Sequence, residues 1–252
     1  MKNYHCPNFF DHQKQIFIIK DLLNQYPYAF VNNVNIGSAY GVFPNMIWNG
    51  GGWAAGITQD LGQIKDILEF YKMSEIPIRL TLTNPTLDEI DCLDKYCNSV
   101  LTIASDFSNV EILINSPILE KHIKTFYPNF VLNKSILAGA NNSIINEYLN
   151  DCKKYHNIVL PRRFNKDFNF LNQIPTNMRN RFELLCTDPC PVNCPNLYSH
   201  YDITGDFQRG VNLDKRNLFC SHKFKTPFML SEYQEHQISL QEIETVLNTL
   251  NM

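Results

Sequence analysis

Between Glu183 and Tyr201 the chain reads ELLCTDPCPVNCPNLYSHY, and Cys186, Cys190 and Cys194 recur there every four residues. That spacing would align three thiols on one helix face. Pro189, Pro191 and Pro195 forbid the helix, because each removes an amide donor and clashes with a preceding carbonyl. The stretch is therefore expected to be an irregular loop that gathers thiols, with His200 close by and Cys220 further on. Thiolates are ligands for soft metals, and a four-thiolate set at loop spacing suits either a cubane iron-sulfur cluster or a structural zinc ion. Zinc sites more often use paired CxxC steps, whereas these gaps are three residues long. A third reading is a loop of reduced, partly buried cysteines, since free cysteine is among the most buried residue types. No other chemistry is legible from spacing: HExxH, GxGxxG and GxxxxGK[ST] are absent, and Ser221-His222 is only a neighbouring pair.

The elements that would position this loop follow from hydrophobic period and punctuation. Ile16, Ile19 and Leu23 predict a helix closed at Tyr26-Pro27, followed by a strand over about Tyr28 to Ile36. Gly37 to Gly56 reads as a long glycine-rich aromatic connection around Trp48 and Trp53, either a packed surface loop or a flexible one over a pocket. Thr58 is expected to cap a helix through Leu61, Ile64, Leu68 and Tyr71, and Ile76 to Thr83 to form a strand. Thr86-Leu87-Asp88-Glu89 reads as a capping box opening a helix toward Cys97, with a second short helix over Val100 to Phe107. Val110 to Asn115 is a strand, and Ser116-Pro117 opens the next helix. Further strands are expected at Phe130 to Lys134, Asn157 to Pro161, Arg179 to Leu185 and Thr226 to Leu230. Ser239-Leu240-Gln241-Glu242 caps a final helix with Leu240, Ile243, Leu247 and Leu250 inward. Cys92, Cys97 and Cys152 fall on helix-packing positions.

About seven strands alternating with helices predict an α/β fold of parallel strands, a (β/α)8-type TIM barrel that is incomplete or divergent at its last strand. One domain over residues 1–252 fits that length. Working residues of such barrels stand at the carboxyl ends of strands. That rule selects Asn84, Asn115, Lys134, Arg162 and Arg163 as pocket candidates beside the cysteine loop, each of which has an alternative as a turn or capping residue. A net charge of -3 gives no overall attraction to nucleic acid. The amino terminus lacks the order of a signal peptide, and no segment approaches the roughly 20 apolar residues of a membrane span. The expected location is the cytoplasm, where thiols stay reduced and serve metal, redox or core roles.

Taken together, Leu184-Leu185, Cys190-Pro191-Val192-Asn193-Cys194-Pro195 and His200-Tyr201 resemble barrel proteins of the collagenase-like "peptidase" family of unassigned catalytic type. Thr83-Asn84, Cys97-Asn98, Asn115-Ser116-Pro117-Ile118-Leu119, Tyr127-Pro128 and Thr226-Pro227-Phe228 agree with it, so the resemblance spans roughly residues 76–230. It implies a (β/α) barrel and, as in its better-understood members, a four-cysteine [4Fe-4S] cluster serving oxygen-independent hydroxylation of RNA or of a small aromatic ring. Carried over to this chain, Cys190 and Cys194 match best and Cys220 is a later ligand. Cys186 is the fourth, with Cys6 or His200 as substitutes. Two alternatives stand beside this iron-sulfur enzyme: a non-catalytic barrel tied by zinc that binds a partner, and the peptidase of the family name. After Leu230 the resemblance ends, because the glycine-containing strand it would require next is replaced by the terminal helix.

Overall fold

Seven parallel strands lie side by side in chain order: β1 (Lys2–Pro7), β2 (Val34–Gly41), β3 (Ile78–Leu82), β4 (Val110–Ile114), β5 (Val131–Lys134), β6 (Ile158–Val159) and β7 (Phe182–Glu183). The connections carry α1 (Gln13–Gln25), α2 (Leu61–Met73), α3 (Lys95–Ala104), α4 (Pro117–Phe126), α5 (Ile145–Asp151) and α6 (Phe168–Leu171), and α7 (Leu197–Gln208) follows β7. The computed structural model describes residues 2–30, 34–50, 56–138, 144–186 and 196–214. Cys190, Cys194, Cys220, the strand expected at Thr226 to Leu230 and the final helix lie outside them.

The sheet is strongly curved, as two side-chain contacts demonstrate. β3 and β7 are four strand spacings apart, about 19 Å across a flat sheet. Yet Arg79 of β3 donates from Nη1 to both carboxylate oxygens of Glu183 on β7, at 2.7 and 2.9 Å. His5 of β1 lies 3.6 Å from the same carboxylate. These contacts cross an interior rather than a surface, so the sheet forms a partial TIM-like barrel. Among the described residues β1 and β7 do not pair with each other.

Alternation sorts each strand into an inward and an outward row. Ile78, Leu80, Leu82, Ile112 and Ile114 belong to one buried cluster with Ile64, Leu68 and Tyr71 of α2 and Val100 and Leu101 of α3. A second cluster joins Ile158, Leu160 and Phe182 to Tyr148 of α5 and Phe170 of α6. Cys92, Cys97 and Cys152 are buried as expected, although Cys92 lies in the 3-10 turn Asp91–Leu93 rather than on an α-helix.

Several boundaries differ from those read in the sequence. β1 was not anticipated, because KNYHCP has no apolar alternation; its pairing with Val34 to Tyr40 of β2 supplies what the pattern lacks. β2 starts later than expected, since Pro27–Ala29 forms a 3-10 turn. Asp60, not Thr58, caps α2: its carboxylate accepts from Gly62 N and Gln63 N, and Gln63 answers with the Asp60 amide in a capping box. The Thr86–Glu89 motif opens no helix. Its Asp88 accepts from the Ile90 and Asp91 amides in a local turn, and α3 begins as one continuous helix at Lys95, capped by Asp94 through Cys97 N at 2.7 Å. Ser116 and Pro117 open α4 as predicted.

Candidate functional site

Two sets of polar residues occupy the barrel, one at its centre and one at the carboxyl ends of its strands. At the centre, β1, β3, β5 and β7 contribute His5, Arg79, Asn133 and Glu183, one from each alternate strand, as in a packed layer of a TIM barrel. Glu111 of β4 and Ser38 of β2 complete the set. Arg79 donates to Glu111 Oε2 from Nε at 3.3 Å and from Nη2 at 3.2 Å, in addition to its paired bonds with Glu183. Asn133 Nδ2 donates to Glu111 Oε2 at 2.9 Å, and its Oδ1 accepts the Asn157 amide at 3.1 Å. His5 Nδ1 and Ser38 Oγ share a hydrogen bond of 2.7 Å. Burial lowers the His5 pKa and the Arg79 charge adds to the effect, outweighing the pull of Glu183 and Glu111, so the ring is held neutral.

Ser38, His5 and Glu183 have the order of nucleophile, base and orienting carboxylate. Their setting does not suit that work. Ser38 is 1 % exposed, out of reach of a peptide bond, and both oxygens of Glu183 are taken by Arg79. The single guanidinium of Arg79 is held between the two carboxylates. This layer escaped the strand-end rule, although the sequence does carry a signal for it: Arg79 and Glu111 are lone charges inside otherwise apolar strands.

At the carboxyl ends, Asn84 follows β3 and is fully buried. Its Nδ2 donates to Ile47 O at 2.7 Å and to Gly205 O of α7 at 3.1 Å. Its Oδ1 accepts from the amide and the hydroxyl of Thr86, each at 3.0 Å. All four hydrogen-bonding positions of the side chain are thereby used within the chain. Asn84 joins three segments: the connection after β2, the turn after β3, and α7. Only glycine permits two of these approaches, since a Cβ on Gly50 would stand 2.4 Å from Asn84 Cα and one on Gly205 2.2 Å from Asn84 Oδ1. The connection before Gly50 is packed tightly, with Trp48 fully buried and its Nε1 donating to Asp91 O at 2.8 Å.

The other strand-end candidates are distributed differently. Asn115 Nδ2 donates to Thr83 O at 3.4 Å, bridging the ends of β3 and β4. Arg162 is buried in the 3-10 turn Arg162–Phe164 after β6, and the Arg163 guanidinium lies 4.5 Å from the Phe164 ring centre. Lys134 shares the outward row of Leu132, pairs with Asp151 of α5 and lies 6.0 Å over the Tyr155 ring. The inward residue of β5 is its neighbour Asn133.

The chain around the cysteine segment is anchored on both sides. Before it, Asn165 Nδ2 donates to Leu185 O at 2.8 Å and fixes the end of β7. After it, α7 reaches the connection between β3 and α3, four strands from β7, and so lies over the carboxyl ends of the strands. Arg209, which caps that helix, donates to Thr86 O at 2.6 Å and Asp88 Oδ2 at 2.7 Å and meets Asp91 Oδ2 at 2.9 Å. His200 stands in the first turns of α7, its pKa lowered by burial. Cys186 is half-buried against the second apolar cluster, 3.8 Å from Leu184 O, and burial pushes its thiol pKa up. Cys6 packs with the main core, on the helix side of β1, and its thiol is raised for the same reason. Among the described residues no group of three or more His, Cys, Asp or Glu is placed to hold a metal. Nor is any helix among them long and apolar enough to cross a membrane.

No protein-family model matches this sequence, and no curated protein matches it. Among solved structures, that of the U32 peptidase Mk0906 superposes with a TM-score of 0.51 at 14% identity, covering 90% of this chain and 82% of that one. At that identity the likeness is one of fold.

Proposed function

We propose that the chain is a thiolate-metal barrel enzyme of the iron-sulfur type, working at the carboxyl ends of its strands between the cysteine segment and α7. The observation that carries this reading is the pair of anchors flanking residues 187–195. Asn165 holds the end of β7, and Asn84 holds α7 against the end of β3. Both anchors stand at the carboxyl ends of the strands, where this architecture carries its chemistry.

Cys190, Cys194 and Cys220 supply soft donors for such a group. Cys186, half-buried against the second apolar cluster, is the fourth donor, with His200 in the first turns of α7 as its substitute. A [4Fe-4S] cluster supplies electron transfer when bound. The protein's own contribution is to exclude water: α7 covers the strand ends and is fastened by Asn84 and Arg209. A net charge of -3 favours a small aromatic substrate over RNA, and oxygen-independent hydroxylation is the reaction implied by the sequence resemblance. Distant kinship with the collagenase-like family accounts for both that resemblance and the likeness of fold.

The full architecture belongs to the same reading. Members of an alternate-strand layer stand two strands apart, so β7 and β1 leave room for one strand between them. Thr226 to Leu230 fills that place in a (β/α)8 barrel.

Anaerobically purified protein should be brown and contain iron and acid-labile sulfide, both lost in the Cys190→Ala/Cys194→Ala double variant. Colourless, iron-free protein overturns the reading. Stoichiometric zinc that survives aerobic handling selects the zinc-tied binding protein instead. The printed name of the structural neighbour favours peptidase activity as a further reading. Absence of hydrolysis across diverse peptides would retire it.

A further inference from the structure

The inward rows of the barrel keep surface that its helix side does not. Along β4 the outward side chains Val110, Ile112 and Ile114 are buried beneath the helices, whereas the inward ones, Glu111 and Leu113, are half-buried. Thr81, the register partner of Leu113 on β3, is half-buried too, as are the inward residues Val159 of β6 and Glu183 of β7. A packed barrel fills its centre with layers of branched apolar side chains. Here the inward rows line a chamber instead. At its floor the Glu111 side chain is 22% exposed, while its register partner Arg79 is 5% exposed.

Half of the Glu111 carboxylate is unused. Its Oε2 accepts from Arg79 Nε, Arg79 Nη2 and Asn133 Nδ2, while its Oε1 accepts nothing from the described residues. Arg79 commits Nη1 to Glu183, and His5 faces Glu183 at 3.6 Å, so neither turns a donor to that oxygen. We propose that the chamber binds a small organic cation, an ammonium group on a short apolar body, with its nitrogen donating to Glu111 Oε1 and its body against Leu113. An ammonium brings both the donors and the positive charge that this oxygen lacks. A carboxylate ligand would instead meet two carboxylates, and an inorganic cation would need several oxygens where one is open. Leu113 is the next inward residue of β4, and Thr81 beside it is held by Asn49 Oδ1 at 3.3 Å, so the wall above Glu111 is apolar. The inference goes beyond the metal reading and does not draw on it, since the residues that carry it include no thiol.

The test measures binding of n-butylammonium to the full chain by saturation-transfer NMR, with n-butanol and butyrate as the neutral and anionic counterparts. Butylammonium is expected to bind and the other two are not. Glu111→Gln keeps an acceptor for Arg79 but removes the charge, and a loss of about tenfold or more in affinity is expected, the scale of one charge-assisted hydrogen bond. Leu113→Ala, which also serves should the first variant not fold, is expected to weaken butylammonium about threefold through lost apolar contact and to leave methylammonium unchanged. Equal binding of butanol, binding that survives Glu111→Gln, or no binding at all overturns the proposal. Displacement by potassium chloride but not by choline chloride at equal ionic strength assigns the site to an inorganic ion and overturns it as well.

Discussion

The centre of the barrel and the carboxyl ends of its strands are both polar and both buried, but their hydrogen bonds run to different partners. At the centre, side chains bond to side chains: Arg79 to two glutamates, Asn133 to one of them, His5 to Ser38. At the strand ends, side chains bond mainly to backbone: Asn84 to Ile47 and Gly205, Asn165 to Leu185, Asn115 to Thr83. A network in which one guanidinium is held between two carboxylates fixes the strands relative to one another. Side chains that hold backbone determine instead where connections lie and what covers the strand ends. The first arrangement is a structural core made of charges; the second fastens the connections at the strand ends.

The contrast is broken most severely at Arg79. Arg79→Leu leaves two carboxylates facing each other in the interior, and losing one partner of a buried ion network costs about 3–5 kcal/mol. Denaturant titration should show that loss, or a chain that does not fold. Asn84→Asp keeps the shape but turns a carboxylate oxygen toward the carbonyls of Ile47 and Gly205. A loss of about 3 kcal/mol is expected from a buried group left without its donors. Amide exchange should show α7 and residues 42–50 opening together.

Gly205→Ala sharpens the comparison, because its Cβ meets Asn84 Oδ1 and touches nothing at the barrel centre. A cost of about 1–3 kcal/mol is expected from such overpacking. Faster exchange should be confined to residues 197–208, with β3 and β4 unchanged; equal loosening of the strands would show that the two regions are not separable. The smallest effect is the pH dependence of His5. Its pKa is lowered in the folded chain, so the unfolded chain takes up the proton first. The corresponding stability is complete above about pH 6.5 and is lost as the pH falls toward the folded value. Melting temperatures between pH 7.5 and 5 should decline more steeply for the natural chain than for His5→Gln.

Much of the frame was legible from sequence. Ser116-Pro117 opened α4, the Ile78 to Leu82 and Val110 to Ile114 runs were strands, and Cys97 and Cys152 were buried as expected. Those signals are local, each depending on residues a few positions apart. The failures involve competition or distance. Thr86–Glu89 has the composition of a capping box, but Thr86 is drawn to Asn84 and Asp88 to its own turn, so Asp94 caps the helix instead. Lys134 stands at a strand end as the rule requires, yet the parity of β5 turns it outward to Asp151. α7 was unforeseen because its apolar residues do not recur on one face and its docking depends on Gly205 meeting a side chain 121 residues away.

The sequence by itself determined the alternation of strands and helices and the parallel class of the sheet, because hydrophobic period and punctuation act within a few residues. Only the tertiary structure decided that Arg79, Glu111 and Glu183 form one network, that Asn84 is a fastener rather than an open pocket wall, and that α7 lies over the strand ends. Each of those depends on curvature, which brings strands four places apart into contact and which no local pattern encodes.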